Sequence, residues 1–339
     1  MLADSARMQE SARPEPAAPL RRHRLFRSTE LDEARDFVAS KFCAHRLERR
    51  SGRDRFDACH HHAPGVGMSL NYIRYGADVE IEPGELGSFY LIQIPLTGQA
   101  WVRNGRHDVC ATSSMPSMLN PDRYTTMRWH AGCEKLLLQI DRDTLRRTVE
   151  HLLGRHLPGP VVFHPAVDFR RPEMRRWWQR LRAVVRATED DRLFCATNGL
   201  SQRLVEEELI EAFFTSQPSN ADHYLDIEPC GMAPAHVKRA QRFIHEHLRS
   251  AITIGDIARA AGVTPRTLQL GFRAACGMTP LQYLRCERLY GAHYDLMRAE
   301  PGTTVAHVAY DWGFTHLGRF SRDYRQAFGV PPRDRLRRS

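Results

Sequence analysis

The sequence predicts an α+β chain: a small antiparallel β-barrel or jelly roll in its first half and an all-α pair of helix-turn-helix motifs at its C-terminal end. Three observations predict it. Between Gly67 and Ile140, short alternating or apolar runs are divided by Gly, Pro and Asn, the pattern of many short strands with frequent turns. From Thr253 onward, one pattern of apolar spacing and glycine punctuation occurs twice. Finally, the formal net charge of +9 is confined: positions 234–339 hold 17 Lys+Arg against 8 Asp+Glu, while the rest of the 339 residues balances at 32 against 32. A basic excess localised to one helical segment is the footprint of a polyanion partner.

Taken in order, residues 1–24 are rich in Ala, Pro, Arg and Glu without apolar periodicity and read as a disordered tail. Residues 31–42 read as a first helix, and 49–57 as a charged loop leading into His60-His61-His62. Strands are expected at 68–75, 79–81, 89–95, 99–103, 117–120, 125–129 and 136–140, inside a domain spanning 25–170. Helices at 173–188 and 197–214 make up a helical segment at 171–216. Leu200, Leu204, Leu209 and Phe213 share one face there, which either pairs with another subunit or packs on the chain's own barrel. Residues 217–233, with Pro218 and Pro229 inside and Pro234 after, read as a linker to the final domain at 234–339.

In that domain Ile254, Ile257, Ala258 and Ala261 recur at i, i+3, i+4 and i+7, and Val305, Val308, Ala309 and Trp312 repeat the spacing. Gly262 and Gly313 each end a helix where a left-handed residue is cheapest. Thr264 can cap the next helix and Pro265 fits its first turn. Further on, Leu268 matches Phe320, Phe272 matches Tyr324, Gly277 matches Gly329 and Pro280 matches Pro332. Helix, glycine turn, second helix is a helix-turn-helix layout, whose second helix enters a major groove. One such match is weak, because many core helix pairs look like it; two in tandem are far more specific. Leu281, Leu284, Leu289, Ala292 and Leu296 predict a joining helix over 280–298, closed by Pro301-Gly302. At 1.5 Å per residue it is about 28 Å long. That is near the ~34 Å between successive major grooves on one face of DNA.

The run Asp311-Trp312-Gly313-Phe314-Thr315-His316-Leu317-Gly318-Arg319-Phe320-Ser321-Arg322-Asp323-Tyr324-Arg325, with Phe328-Gly329 and Pro332 following, resembles the C-terminal signature of AraC/XylS-type transcription regulators. Residues 258–272 resemble that family's other half. Tyr75-Gly76-Ala77, Pro95-Leu96-Thr97-Gly98 and Leu119-Asn120-Pro121 more loosely resemble its cupin-like effector domain. The resemblance covers about residues 25–339. It implies a homodimer that binds promoter DNA and a small-molecule effector, acts with RNA polymerase as an activator, and needs no cofactor or catalytic residue.

Groove-facing candidates lie off the apolar stripes. In the first copy they are Arg266, Thr267, Gln269 and Leu270; in the second, His316, Gly318, Arg319, Ser321 and Arg322. Arg donates bidentately to guanine and Gln pairs with adenine. Arg273, Arg325 and Arg285 suit phosphates, which position a protein without reading sequence. The resemblance points the effector toward an aromatic acid. Its carboxylate needs a cation, for which Arg53, Arg55 and Arg74 are candidates, with Tyr90, Gln93 and Trp101 as wall residues.

The reading from a different class is a cupin-type metalloenzyme with a basic helical appendage, suggested by His60-His61-His62. Such a site also needs a glutamate a few residues on and a later histidine. Here Ala63-Pro64-Gly65-Val66-Gly67 follows, so a solvated or loop-packing triplet is expected and no metal ligand is assigned. Eight cysteines form no C-x-x-C pair and no zinc spacing, and no run is long and apolar enough to span a membrane. With no signal peptide evident, a reducing cytoplasm is the expected setting.

Overall fold

The computed structural model describes residues 18–50, 54–154, 157, 159–194, 199–225, 233–297, 299 and 302–338. They form two units: Met1–Asp141 with Pro165–Glu206, and Arg142–His164 with Glu207–Ser339.

The first unit begins with β1 (Arg24–Ser28), α1 (Leu31–Lys41), β2 (Arg46–Arg49), β3 (Ala58–Pro64), β4 (Met68–Arg74) and β5 (Val79–Gly84). It continues with β6 (Phe89–Thr97), β7 (Ala100–Asn104), β8 (His107–Ala111), β9 (Ser117–Leu119), β10 (Thr125–Trp129) and β11 (Glu134–Asp141). Two sheets result, ordered β1-β3-β4-β11-β6-β9 and β2-β5-β10-β7-β8, with antiparallel pairing throughout. In the second sheet, side chains alternate in burial. Ala100, Val102 and Asn104 are buried while Trp101 and Arg103 are exposed, as a half-solvated sheet requires. In the first sheet β4 and β6 are buried on both faces, with Ser69, Asn71 and Gln93 as their buried polar residues. The inner faces meet in one core, where Val79, Ile81, Val102, Met127 and Trp129 join Ile73, Phe89, Leu91, Leu119 and Leu137. Gly98 makes the β6–β7 turn possible: its φ is +64°, and a Cβ there would lie 2.8 Å from Cys133 Cα.

Several elements were not expected. The chain is already packed at Leu20, which is fully buried, so order begins before the sequence-based boundary at 24; residues 1–17 lie outside the described residues. β1, β2, β3 and β8 are strands that periodicity did not announce. The His60-His61-His62 triplet corrects the expectation of a solvated or loop-packing run, because it sits in β3, between β1 and β4. His60 Nε2 and His62 Nδ1 lie 3.0 and 2.8 Å from Asn71 Oδ1, and His61 Nδ1 lies 2.6 Å from Pro19 O. Burial lowers the pKa of all three, His60 to about 4, so they are packed as neutral rings. Among the described residues, no three His, Cys, Asp or Glu side chains gather as a metal site would need.

After β11 come α2 (Arg142–Leu153), in the second unit, and α3 (Pro172–Glu189), in the first. In α3, Pro172 fits the first turn and Met174, Trp177, Leu181, Val184 and Val185 form its buried stripe. α4 (Gly199–Phe214) begins in the first unit, where Glu206 accepts hydrogen bonds from the Val66 and Gly67 amides at 2.8 and 2.7 Å. Leu209 and Phe213 are buried, but Leu200 and Leu204 are 77% and 60% exposed, which separates the four leucine-stripe residues into two pairs. Of the expected linker, 226–232 lies outside the described residues. Gln217 and Asn220 are packed, with Gln217 Nε2 donating to His164 O at 2.7 Å and Asn220 Oδ1 accepting from Val162 N at 2.7 Å.

The second unit continues with α5 (Ala235–Glu246), α6 (Ile254–Ala261), α7 (Pro265–Cys276), α8 (Pro280–Met297), α9 (Val305–Asp311), α10 (Leu317–Phe328) and α11 (Pro332–Arg338). The tandem punctuation works as caps. Thr253 and Asp256 form a capping box on α6, while Thr264 caps α7 and Thr304 caps α9 by accepting from backbone amides. Gly262, Gly277 and Gly329 close α6, α7 and α10 in the left-handed conformation. Among the described residues, no helix is long and apolar enough to cross a membrane.

Candidate nucleic-acid interface and barrel cavity

α7 and α10 each bury one stripe and present the rest. Leu268 and Phe272, and in the second copy Phe320 and Tyr324, are fully buried. On the outer faces Arg266, Thr267, Gln269, Leu270 and Arg273 are exposed, as are His316, Gly318, Arg319, Arg322 and Arg325; Ser321 is half-buried. Thr267 Oγ1 lies 2.9 Å from Thr264 Oγ1, so part of its hydrogen-bonding capacity is spent on the cap. Among the described residues, none of the five exposed arginines has a carboxylate partner, which leaves their donors free for phosphate or base edges.

Arg285 differs from them. Its Nε donates to Asp323 Oδ2 at 2.6 Å, so it braces α8 against α10, and this corrects the expectation that it would meet phosphate. Arg288 is likewise internal, donating to Leu248 O at 2.7 Å and Ser250 O at 2.5 Å.

α8 is held to both copies. Trp312 lies so close over Gly291 that a Cβ there would sit 2.1 Å from the indole, and Trp312 Nε1 donates to Asp295 Oδ2 at 2.7 Å. Arg249 donates to the same carboxylate at 2.9 Å and lies 4.4 Å over the Trp312 ring. Tyr324 Oη lies 2.7 Å from His293 Nδ1, and His245 lies 3.3 Å from the buried Glu287. The 18 residues of α8 make a rod of about 27 Å between the two motifs.

Inside the barrel, the sheets and the end of α1 line a largely apolar cavity of about 50 Å³, walled by residues that include Val38, Ile73, Phe89, Met127 and Leu137. Gln93, Trp129, His45, Tyr75 and Cys43 bring the polar groups to this wall. Trp129 Nε1 and His45 Nε2 are buried with no hydrogen-bond partner among the described residues. Lys135, fully buried on the inner face of β11, donates from Nζ to Gln93 Oε1 at 2.7 Å and lies 4.0 Å over the Trp129 ring. Burial pushes its amine down to about 7, and among the described residues it has no carboxylate partner.

Of the six residues expected at the effector site, Gln93 lines this cavity. Arg74 is directed to Asp57, which it meets at 2.8 Å beside Arg27 at 2.7 Å; the Arg27 hydrogen bond, then the Arg74 charge, outweigh burial and hold the Asp57 carboxyl below its usual range. Arg55 lines a surface groove with Arg27 and Asp57. Tyr90 is buried at a position alternate to Phe89, Leu91 and Gln93, on the other face of its sheet, and Trp101 is 52% exposed on the outside. Arg53 lies outside the described residues. Lys135 was missed because the strand was expected to begin at Leu136. Extending the alternation of Leu137 back by two positions finds it.

A family profile described as "AraC-binding-like domain" matches residues 34–215, and one described as "Helix-turn-helix domain" matches 257–338. The chain is 28% identical to the "Probable thc operon regulatory protein" of Rhodococcus erythropolis, over 93% of this chain and 95% of that protein. It is 26% identical to the "XylDLEGF operon transcriptional activator 1" of Pseudomonas putida, over 89% of this chain and 91% of that protein. Among solved structures, a probable AraC family transcriptional regulator from Rhodopseudomonas palustris CGA009 is 31% identical over 31% of this chain and 97% of its own, with a TM-score of 0.30. The AraC-like transcriptional activator CuxR is 13% identical over 85% of this chain and 99% of its own, with a TM-score of 0.42. The tandem caps, the basic C-terminal segment and the two profile matches together place this chain in the AraC/XylS-type family of transcription regulators.

Proposed function

We propose that the chain is a cytoplasmic, homodimeric activator that reads promoter DNA with α7 and α10 in successive major grooves and responds to a small acid held in its barrel. The observation that carries the DNA reading is the pairing of two capped helices with unpartnered exposed arginines, spaced by the one helix α8. One subunit then covers two helical turns of one DNA face without needing a second copy. Leu200 and Leu204, exposed on α4, support a subunit contact in that region. The relatives' names, which describe operon regulators and activators, support activation through RNA polymerase.

The effector reading rests on the barrel cavity and its polar groups, since concave apolar sites with a few placed polar atoms are where small molecules bind. An acid bound there raises DNA occupancy only if it prefers the DNA-competent form. In vitro selection of DNA sites with the full-length protein tests the proposal. The expected product is, for each subunit, two sequence blocks with centres about 10 base pairs apart. A single block, or no enrichment, contradicts it.

A further inference from the structure

We infer that one matched position makes the two DNA blocks unlike: Leu270 of α7 takes the 5-methyl group of a thymine, and Arg322 of α10 takes a guanine. This rests on the reading of α7 and α10 as the groove helices, and deepens it by naming a base in each block.

The buried stripes set the correspondence. Leu268 and Phe272 of α7 answer to Phe320 and Tyr324 of α10, and both helices close on a left-handed glycine, Gly277 and Gly329. Opposite its stripe, α7 carries Arg266, Gln269, Leu270 and Arg273 at i, i+3, i+4 and i+7, which is one outer face. The same four positions of α10 hold Gly318, Ser321, Arg322 and Arg325. The last position is arginine in both helices, but Leu270 and Arg322 share a position and differ in kind. Each lies two residues after the first buried residue of its stripe.

Leu270 is 61% exposed, and among the described residues it is the only large apolar side chain so exposed on either helix. A single exposed leucine is unremarkable on an ordinary surface. Here the exposed Arg266, Gln269 and Arg273 flank it, so one apolar group stands in a face otherwise made for hydrogen bonds. Of the four bases, thymine offers the major groove a methyl group, whereas a polar edge set against leucine would lose water without gaining a partner. At the same position Arg322 presents a planar fork, which fits guanine O6 and N7. Neither face offers cytosine an anionic acceptor, because α7 contains no Asp or Glu and Asp323 of α10 is held by Arg285.

The test uses the full-length protein and the DNA site that it selects, with base analogues placed one at a time. Deoxyuridine in place of thymidine deletes the methyl group alone, and 7-deazaguanine in place of guanine deletes the N7 acceptor alone. The block whose sequence information falls in Arg266→Ala belongs to α7. One thymine in it should bind about fourfold more weakly as uracil, the effect of one buried methyl group. Leu270→Ala should bind the thymine and uracil duplexes alike. In the other block one guanine should bind about tenfold more weakly as 7-deazaguanine, as for a lost hydrogen bond to a charged group. Arg322→Ala should be indifferent to that change. Site selection with Leu270→Arg should return guanine where the wild type selects the thymine, with the other block unchanged. Both substitutions at Leu270 should leave the melting temperature within a few degrees of the wild type, as for an exposed position.

Two blocks in which no change from thymine to uracil matters overturn the Leu270 assignment and leave the two-groove reading intact. Uracil sensitivity that persists in Leu270→Ala gives the methyl group to another residue and overturns it likewise. Sensitivity to 7-deazaguanine that persists in Arg322→Ala overturns the guanine assignment. Selection of one block, or of none, removes the two-groove reading and both assignments with it. A Leu270→Ala protein that melts well below the wild type assigns the leucine to packing instead.

Discussion

Arg322 and Arg285 share a side chain and differ in what they meet: the first is exposed without a carboxylate partner, the second is tied to Asp323. Arg322→Ala should therefore weaken specific DNA binding by about 1–3 kcal/mol and relax one base position, as for a lost bidentate contact. Quantitative binding to a selected site and its single-base variants reads both effects, and an unchanged preference at every position removes Arg322 from the readout. The exposure of Arg319 and Arg322 was legible in the sequence, because the Phe320/Tyr324 stripe and helical geometry leave them on the outer face. The partners of Arg285 and Arg74 were not legible, since Asp323 and Asp57 reach them only through tertiary packing. His293 makes a second prediction. Burial lowers its pKa to about 4, below the ordinary 6.5, and its Nδ1 lies 2.7 Å from the Tyr324 hydroxyl. The unfolded chain binds this proton first, so the stability due to the neutral ring is complete above about 6.5 and is lost as pH falls toward 4. Between pH 7 and 5 the loss is about 2 kcal/mol. Denaturant melts of His293→Gln should show a shallower acid decline than the wild type; identical slopes would refute this.

At the scale of elements, legibility followed periodicity. β10 matches its expected bounds and α8 comes within one residue of its own, because alternation and a 3.6-residue stripe mark them. β3 was missed because histidines carry no strand signal; its neighbours β1 and β4, the Asn71 side chain beside His60 and His62, and Pro19 O beside His61 make two buried imidazoles and one half-buried one acceptable there. α4 was legible as a helix, but its stripe was not legible as two halves. Leu209 and Phe213 are buried, and Leu200 and Leu204 are not, so the outer pair is the part available to a partner. In the proposed homodimer, replacing both Leu200 and Leu204 by Lys should shift the protein from dimer to monomer in sedimentation while its melting temperature stays within a few degrees. A dimer that persists would move the subunit contact to another surface.

The molecule as a whole separates its chemistry by unit: the charge excess lies in 234–339, and the uncompensated lysine and apolar cavity lie in the barrel. The division between a stranded half and a tandem helical half was legible from composition and repeats alone. The identity of the cavity residues was not, because which face of each strand turns inward depends on the pairing of all eleven. The central claim, that one chain reads two successive grooves, is tested most directly by repeating the site selection with Arg266→Ala/Gln269→Ala and with Arg319→Ala/Arg322→Ala. Each double variant should lose sequence information in one block and retain the other, the two blocks lying about 10 base pairs apart. Loss of the same block in both variants, or of neither, would contradict the account.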